Sequence, residues 1–301
     1  MDKLTAMRVF CSVIDAGGFA SAAEQLGLST SAVSRHIAQL EAHLNVRLLN
    51  RTTRRMSPTD EGFAYFEGCT QVLTDLEETE ASVSGEAHHP RGRLRLTAPT
   101  ALAISRLAPA FAAFSLAYPE ITLDIVLSDG IADFAEEGLD LAIRVGRVGS
   151  DNLVARSIGE TALLIAAAPG YLERAGTPLT PHDLARHTCL TYAYSSAGNQ
   201  WPFVDQDGKP FSVRIAGPVN ANNGMLLGEM AAAGCGVVQG PCFILQPLIA
   251  SGQLRRLLPD WATLRLPIHA VYPTRRHLSA KVQAMTGFLG LWFAKQPSGT
   301  F

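Results

Sequence analysis

Two amphipathic helix patterns separated only by Gly27-Leu28 constrain this chain more than any other feature. The first opens at Ser21, where Ser21-Ala22-Ala23-Glu24 has the spacing of a capping box, and it runs to Leu26. After the glycine turn, Ser29 caps a second pattern that continues to about His43. Ahead of both, Leu4, Met7, Phe10 and Ile14 recur at helical steps and predict a further helix closed by Gly17-Gly18. Helix, glycine turn, helix is the helix-turn-helix arrangement. Residues 46–49 and 56–57 then read as short strands around the basic tip 50–55, which makes a wing.

The charge is distributed to match. The first 58 residues carry seven Lys/Arg against four Asp/Glu, a net charge of +3, whereas the remainder has 18 against 23, a net charge of -5. A small basic end on a larger acidic body points to a polyanion-binding module joined to something else. Within the third helix, at about 100° per residue, Val33, Ile37 and Leu40 gather into one apolar stripe. Ser31, Ser34, Arg35 and Ala38 fall on the other side. Ordinary exposed helix faces favour long Glu and Lys side chains, and none occurs between Thr30 and Gln39. Short side chains let a helix sink into a major groove, and the planar fork of Arg35 matches guanine O6 and N7. In the wing, Arg51, Thr52, Thr53, Arg54 and Arg55 suit successive phosphates or a narrow minor groove. The DNA-contact set is therefore Ser29, Thr30, Ser31, Ser34 and Arg35 with those five wing residues.

Past Pro58, Thr59 is a plausible cap for a long helix over residues 60–85. Phe66, Cys69, Leu73, Leu76, Glu80 and Val83 keep a heptad rhythm along it, interrupted at Glu80. Two readings stand: a dimer seam through Phe66, Leu73, Leu76 and Val83, or a helix packed on its own domain. Residues 88–92, rich in His, Pro and Gly, look like a hinge. Strand-like and helix-like segments alternate from Arg93 onward. Strands are expected at 94–97, 121–127, 141–145, 163–168, 237–238 and 268–272. Helices are expected at 101–118 (kinked at Pro109), 131–137, 223–233, 242–250 and 279–293. This is an α/β pattern with a largely parallel sheet, and more than 200 residues suggest two lobes, the second inserted in the first.

No apolar run approaches the ~20 residues of a membrane helix. The amino end imitates a leader, but Arg8 and Asp15 leave its apolar centre too short, so it reads as mature structure. The scattered, odd-numbered cysteines (five) make no disulfide framework and fit a reducing cytoplasm. Cys189, Cys235 and Cys242 read as small buried apolar residues rather than a redox pair. Neither His88-His89 nor the His182 and His187 pair has a zinc arrangement, so no metal is expected. Catalytic elbows, Walker loops and dinucleotide fingerprints are lacking, so no cofactor and no enzymatic activity are expected.

Phe19-Ala20-Ser21-Ala22-Ala23-Glu24-Gln25-Leu26, Ser31-Ala32-Val33-Ser34-Arg35, Leu40-Glu41 and Leu48-Leu49-Asn50-Arg51-Thr52-Thr53-Arg54-Arg55 together resemble the LysR-type bacterial transcriptional regulators. Weaker echoes follow at Thr97-Ala98-Pro99, Ser128-Asp129 and Asp140-Leu141-Ala142-Ile143-Arg144 and over residues 234–238. The resemblance implies a winged helix-turn-helix at 1–58, mainly α. A linker and dimerisation helix with its hinge follows at 59–90. The rest, 91–301, is an α/β two-lobed effector domain like periplasmic binding proteins, with lobe I at about 91–161 and 267–301 and lobe II at about 162–266. It also implies a homodimer or dimer of dimers that bends double-stranded promoter DNA, answers to a small molecule and acts with RNA polymerase.

In such sheets ligands sit at the carboxyl ends of strands near helix starts. Thr97, Pro99 and Thr100 follow the first strand, Ser128 and Asp129 the second, and Asn222, Asn223 and Gly224 open a helix of the other lobe. For Thr100 and Asn222, helix capping and ligand contact weigh equally, and Asp129 reads better as a turn or interlobe contact. Many relatives have an acid after the glycine corresponding to Gly224. Met225 stands there in this chain, which leaves the helix start more receptive to a small organic anion.

Overall fold

The computed structural model describes residues 2–51, 56–84, 90–130, 134, 137–148, 152–205, 207–273 and 278–295. For Arg51 and for residues 71, 75, 77–79 and 81–84 it describes the backbone only. The chain forms two units, Met1–His88 and His89–Phe301.

In the first unit, Asp2 accepts the Leu4 N–H (3.1 Å) and starts α1 (Lys3–Asp15). Helix α2 (Phe19–Leu26) begins two residues before the expected cap, on Gly18, whose carbonyl accepts the Ala22 N–H, so Ser21 lies inside the helix. The capping-box spacing misleads here because the Gly17-Gly18 pair already turns the backbone. Gly27 ends α2 in the left-handed region (φ 65°) and, after the turn, Ser29 Oγ accepts the Ala32 N–H (3.2 Å) to open α3 (Thr30–Leu44). Strands β1 (Leu49–Arg51) and β2 (Met56–Pro58) pair antiparallel, so Val46 precedes the first strand instead of belonging to it. One oxygen of Glu41 accepts both the Leu48 and Leu49 N–H groups and ties α3 to the wing. Thr59 Oγ1 accepts the Gly62 N–H (2.9 Å), donates to Arg47 O (2.8 Å) and caps α4 (Asp60–Ser84). Phe10, Val13, Val33, Ile37, Leu40, Leu48 and Leu49 form the core, with Tyr65 and Phe66 of α4 packed against it. Burial of a side chain such as Ile37 or Leu40 contributes about 1.5–3 kcal/mol.

The second unit is a mixed α/β body. In chain order it holds β3 (Gly92–Ala98), α5 (Thr100–Leu102), a π-helical turn (Ala103–Leu107), α6 (Ala108–Ala117), β4 (Ile121–Leu127), β5 (Leu141–Val145) and β6 (Leu153–Ala167). Then come α7 (Pro169–Ala175), a 3-10 turn (Pro181–Arg186), β7 (Cys189–Tyr192), β8 (Gln200–Val204), β9 (Pro210–Arg214), β10 (Asn220–Ala221) and α8 (Gly224–Ala232). The chain closes with β11 (Val237–Pro241), α9 (Cys242–Ala250), β12 (Arg255–Leu257), β13 (Ala262–Thr263), β14 (Arg265–Pro273) and α10 (Ala280–Ala294). Most of the helix expected at 131–137 lies outside the described residues, as do His88 and His89 of the expected hinge.

The main sheet runs β10-β7-β11-β6-β14-β5-β3-β4, with β12 also on β6, while β13, β8 and β9 form a small separate sheet. It is mixed rather than largely parallel. β3 pairs parallel with β4 and β5, and β7 with β10 and β11, but every partner of β6 and β14 is antiparallel. These two long strands cross between lobes with no helix to return them in the parallel sense. One core gathers Leu94, Leu96, Leu141, Ile143, Ile268, Met285 and Leu289; the other gathers Ile165, Leu184, Leu190, Trp201, Phe203, Leu227 and Val237. They mark the two lobes.

Pro109 sits in the first turn of α6, and the π-helical turn before it absorbs the expected kink, because proline offers no N–H to the ladder. Taken together, Thr100–Ala117 is long and apolar enough to cross a membrane by composition alone, contrary to the expectation from the sequence. Leu102, Leu107, Ala110 and Phe114 are fully buried in the first lobe, as in a core helix. In the same lobe Lys281 of α10 and Asp140 form a buried ion pair (3.3 Å). Lys281 Nζ also donates to Arg93 O, and Asp140 accepts the Arg95 N–H. All five cysteines are free; Cys189 and Cys242 are buried, whereas Cys235 is exposed on the turn after α8, against expectation.

Candidate DNA-binding and effector sites

The third helix separates its two faces as its composition requires. Val33, Ile37 and Leu40 are buried, Ser29, Thr30, Ser31, Arg35, Ala38 and Gln39 are exposed, and Ser34 is half-buried. Ser29 Oγ and Ser31 Oγ share a hydrogen bond (3.0 Å), so the cap and the first exposed serine are held together. Among the described residues the Arg35 guanidinium has no partner. Arg51 ends β1, paired with Met56, and Thr52, Thr53, Arg54 and Arg55 lie outside the described residues. On α4, Phe66 packs partly on the core of its own unit and Cys69 is buried there, while Leu73 and Leu76 are half-buried. Val83 lies outside the described side chains.

In the second unit the parallel strands β3, β4 and β5 end at one edge, and their last residues converge. Pro99 stands as the cap residue of α5. Asp129 Oδ1 accepts the Thr100 N–H (3.2 Å), and Oδ2 accepts Asn223 Nδ2 (3.2 Å) from the other lobe. Asn223 itself caps α8 through the Leu226 N–H (3.0 Å), and Gly224 lies against the tip of the Ile244 side chain, which would have to shift for a methyl group there. Ser128 Oγ accepts the Gly130 N–H and shapes the turn that aims Asp129. Thr97 is fully buried, and its hydroxyl lies 3.5 Å from Arg144 Nη2. Asn222 Nδ2 donates to the Tyr194 hydroxyl (3.4 Å), and Tyr194 meets Tyr192 edge to face.

The structure therefore gathers three groups that sequence reasoning did not select: Arg144, Tyr192 and Tyr194. Arg144 donates to Ile143 O (2.8 Å), and this bond and the Thr97 contact both go to neutral oxygens. Burial pushes the guanidinium down from its usual value, opposed by the negative charge of Glu137 and Asp129. Burial likewise pushes Asp129 up, against the hydrogen bonds of Thr100 and Asn223. The Tyr192 phenol is raised to about 12 by burial first and then by Asp129. A cation, a carboxylate, two phenols and two amides thus cluster where Asp129 joins the two lobes.

Residues 4–63 match the family model for bacterial regulatory helix-turn-helix proteins of the lysR family, and residues 87–293 match the LysR substrate binding domain. The chain belongs to the LysR-type transcriptional regulators. An uncharacterized HTH-type transcriptional regulator of Haemophilus influenzae is 38% identical over 287 residues, 95% of this chain and 99% of its own length. The structure of CrgA, a LysR-type regulator from Neisseria meningitidis, superposes with a TM-score of 0.56 at 33% identity and covers 96% of each chain. The full-length Vibrio cholerae virulence activator AphB follows at 0.58 and 26%, covering 95% of this chain and 98% of its own. This LysR-type regulator accordingly has a helix-turn-helix DNA-binding domain and a two-lobed effector-binding domain, and its named relatives are transcriptional regulators.

Proposed function

We propose that this regulator reads promoter DNA with the exposed face of α3, anchors on phosphates with its wing, and changes its oligomeric geometry when a small organic anion enters the interlobe cleft. The exposed Arg35, without a partner among the described residues and set among short side chains, supports the first part. Arg51, Arg54 and Arg55, with Thr52 and Thr53, supply the backbone contacts. Self-association along the outer face of α4, as a dimer or a dimer of dimers, spaces the recognition helices, and RNA polymerase is the partner that senses the result. The protein works in the cytoplasm without a cofactor.

Arg144, with Thr97 Oγ1 beside it, carries the effector reading as the anchor for the anion. Among the described residues its contacts go to the oxygens of Ile143 and Thr97 at the carboxyl ends of the strands, with Glu137 and Asp129 as the nearby negative charges. Thr100, Ser128, Asp129, Asn222, Asn223 and Gly224 complete the cleft, and Tyr192 and Tyr194 offer an aromatic wall. Ligand-driven closure favours one lobe arrangement over another and thereby one operator spacing. Two experiments test the reading. Footprinting on chromosomal fragments is expected to show discrete, strongly salt-sensitive sites, and protection of none would overturn the DNA reading. Thermal-shift screening is expected to select organic anions, and a response to cations or sugars alone would overturn the effector reading.

A further inference from the structure

One carboxylate of the first lobe is bonded into the second. Asp129 divides its oxygens between the two: Oδ1 accepts the Thr100 N–H (3.2 Å) of its own lobe, and Oδ2 accepts Asn223 Nδ2 (3.2 Å) of the other. The Asn223 amide is fixed in turn, because its oxygen accepts the Leu226 N–H (3.0 Å). The turn that presents Asp129 is braced twice. The Ser128 N–H donates to Ala98 O (3.0 Å), and Ser128 Oγ accepts the Gly130 N–H (3.2 Å). Beside this bridge Tyr194 of the second lobe stands against Gly130 of the first, where an added methyl group would touch its hydroxyl (3.7 Å). Asn222 Nδ2 donates to that same hydroxyl (3.4 Å).

Resting on the effector reading above, we infer that Asp129 is a tethered stand-in for the effector's carboxylate, and that an organic anion acts by displacing it from Thr100 and Asn223. The donors themselves name the class of ligand. One N–H from each lobe is spaced to the two oxygens of a single carboxylate, and the chain's own carboxylate fills that position. A tethered group meets its donors at an effective concentration in roughly the millimolar range. The braced turn leaves it little freedom to lose on binding, which strengthens its hold further. A simple carboxylate offers the same two contacts without those advantages and does not displace it. An effector succeeds only by adding contacts. Arg144 beside Thr97 and the Tyr192–Tyr194 pair are the groups that supply them. The stand-in thereby sets a threshold that small carboxylates do not pass. Binding exchanges an intramolecular bridge between the lobes for a ligand-borne one, and the difference between the two bridges is what the lobes feel.

Hydrogen–deuterium exchange of the full chain, resolved to single amides by overlapping peptides, tests this. Sodium acetate is the probe, and sodium chloride at equal ionic strength is the control. In the unaltered chain the Thr100 amide is expected to be protected and to stay so in acetate. In Asp129→Ala the Thr100 and Leu226 amides are expected to exchange roughly tenfold faster, and acetate but not chloride is expected to restore their protection saturably. Asp129→Asn, which keeps the size of the side chain and loses its charge, is expected to answer to acetate at higher concentration. An unprotected Thr100 amide in the unaltered chain overturns the inference, and that measurement needs no variant to fold. Acetate that protects neither variant, or that acts on the unaltered chain as strongly as on the variants, overturns it equally. The two readings fail separately. A melting-point response of the unaltered chain to organic anions, with no rescue by acetate, overturns the displacement and keeps the effector reading. Rescue by acetate without any such response overturns the effector reading and keeps Asp129 as the occupant of a carboxylate site.

Discussion

Arg35 projects from a helix face on which none of its neighbours has a long charged side chain. If it forks a guanine, Arg35→Ala costs about 1–3 kcal/mol on the cognate site and much less on unrelated duplex. Fluorescence anisotropy on both DNAs measures this, and equal losses would reduce Arg35 to a phosphate contact. Lys281 is a second residue whose burial sets its importance, since its ammonium is held by Asp140 and by a backbone carbonyl under α10. Lys281→Met removes one partner and leaves a buried carboxylate, so a loss of about 3–5 kcal/mol is expected in urea titration; an unchanged midpoint would contradict the pairing. Of the cleft residues, Asp129 was legible as an interlobe contact because it follows a strand directly. Arg144 was not, because it stands in the otherwise apolar run Leu-Ala-Ile-Arg-Val and a strand assignment does not say which end of the sheet meets the other lobe.

Among elements, α4 shows how an end is fixed. Thr59 caps its first turn, and Gly62 lies so close to the Leu48 carbonyl that any side chain there would strike backbone. Thr59→Ala should cost about 0.5–2 kcal/mol through the lost cap. Thermal or urea unfolding checks it, and an unaltered stability would mean that water replaces the hydroxyl. The helices of the first unit were readable because each buries one stripe against a common core, so the 3.6-residue period survives in the sequence. The first half of β6 was not readable. Leu153 to Ala162 mixes Arg156, Ser157, Gly159 and Glu160 with apolar residues and is half exposed with no regular order, so no alternation marks it. Strands β7, β8 and β9 were passed over for a similar reason: each is short, and long-range pairing rather than local pattern creates it. Tyr192 and Tyr194 were missed with them.

For the whole molecule, charge and titration make the remaining predictions. The net +3 of the first 58 residues stands against -5 elsewhere, so DNA affinity should fall steeply with salt. Arg54→Ala should weaken all sequences alike and lower the slope of that dependence by about one counterion; a change in sequence preference would contradict the phosphate assignment. Asp129, which bridges the lobes, is raised above its ordinary 3.8 by burial. Folding therefore takes up a proton there, and the stability this provides is present below the unfolded pKa and lost as pH rises through the higher folded value. Asp129→Asn has no such proton to lose. Its stability relative to the unaltered chain should rise as pH climbs through the carboxylate range, and a gap independent of pH in parallel urea titrations would refute the assignment.

Strand β6 pairs with β14 from Leu153 to Ala162, with one register shift at Ile158 opposite Ile268 and His269, and with β11 from Leu163 to Ala167. The lobes are consequently leaves of one spring rather than jaws on a pin. Any change in their angle has to be taken up as twist along the ladder and at its one bulge, because a swivel at a single bond elsewhere would break rungs. Such a joint has a short stroke and returns by itself, so a bound effector has to hold it bent, and release alone resets the molecule.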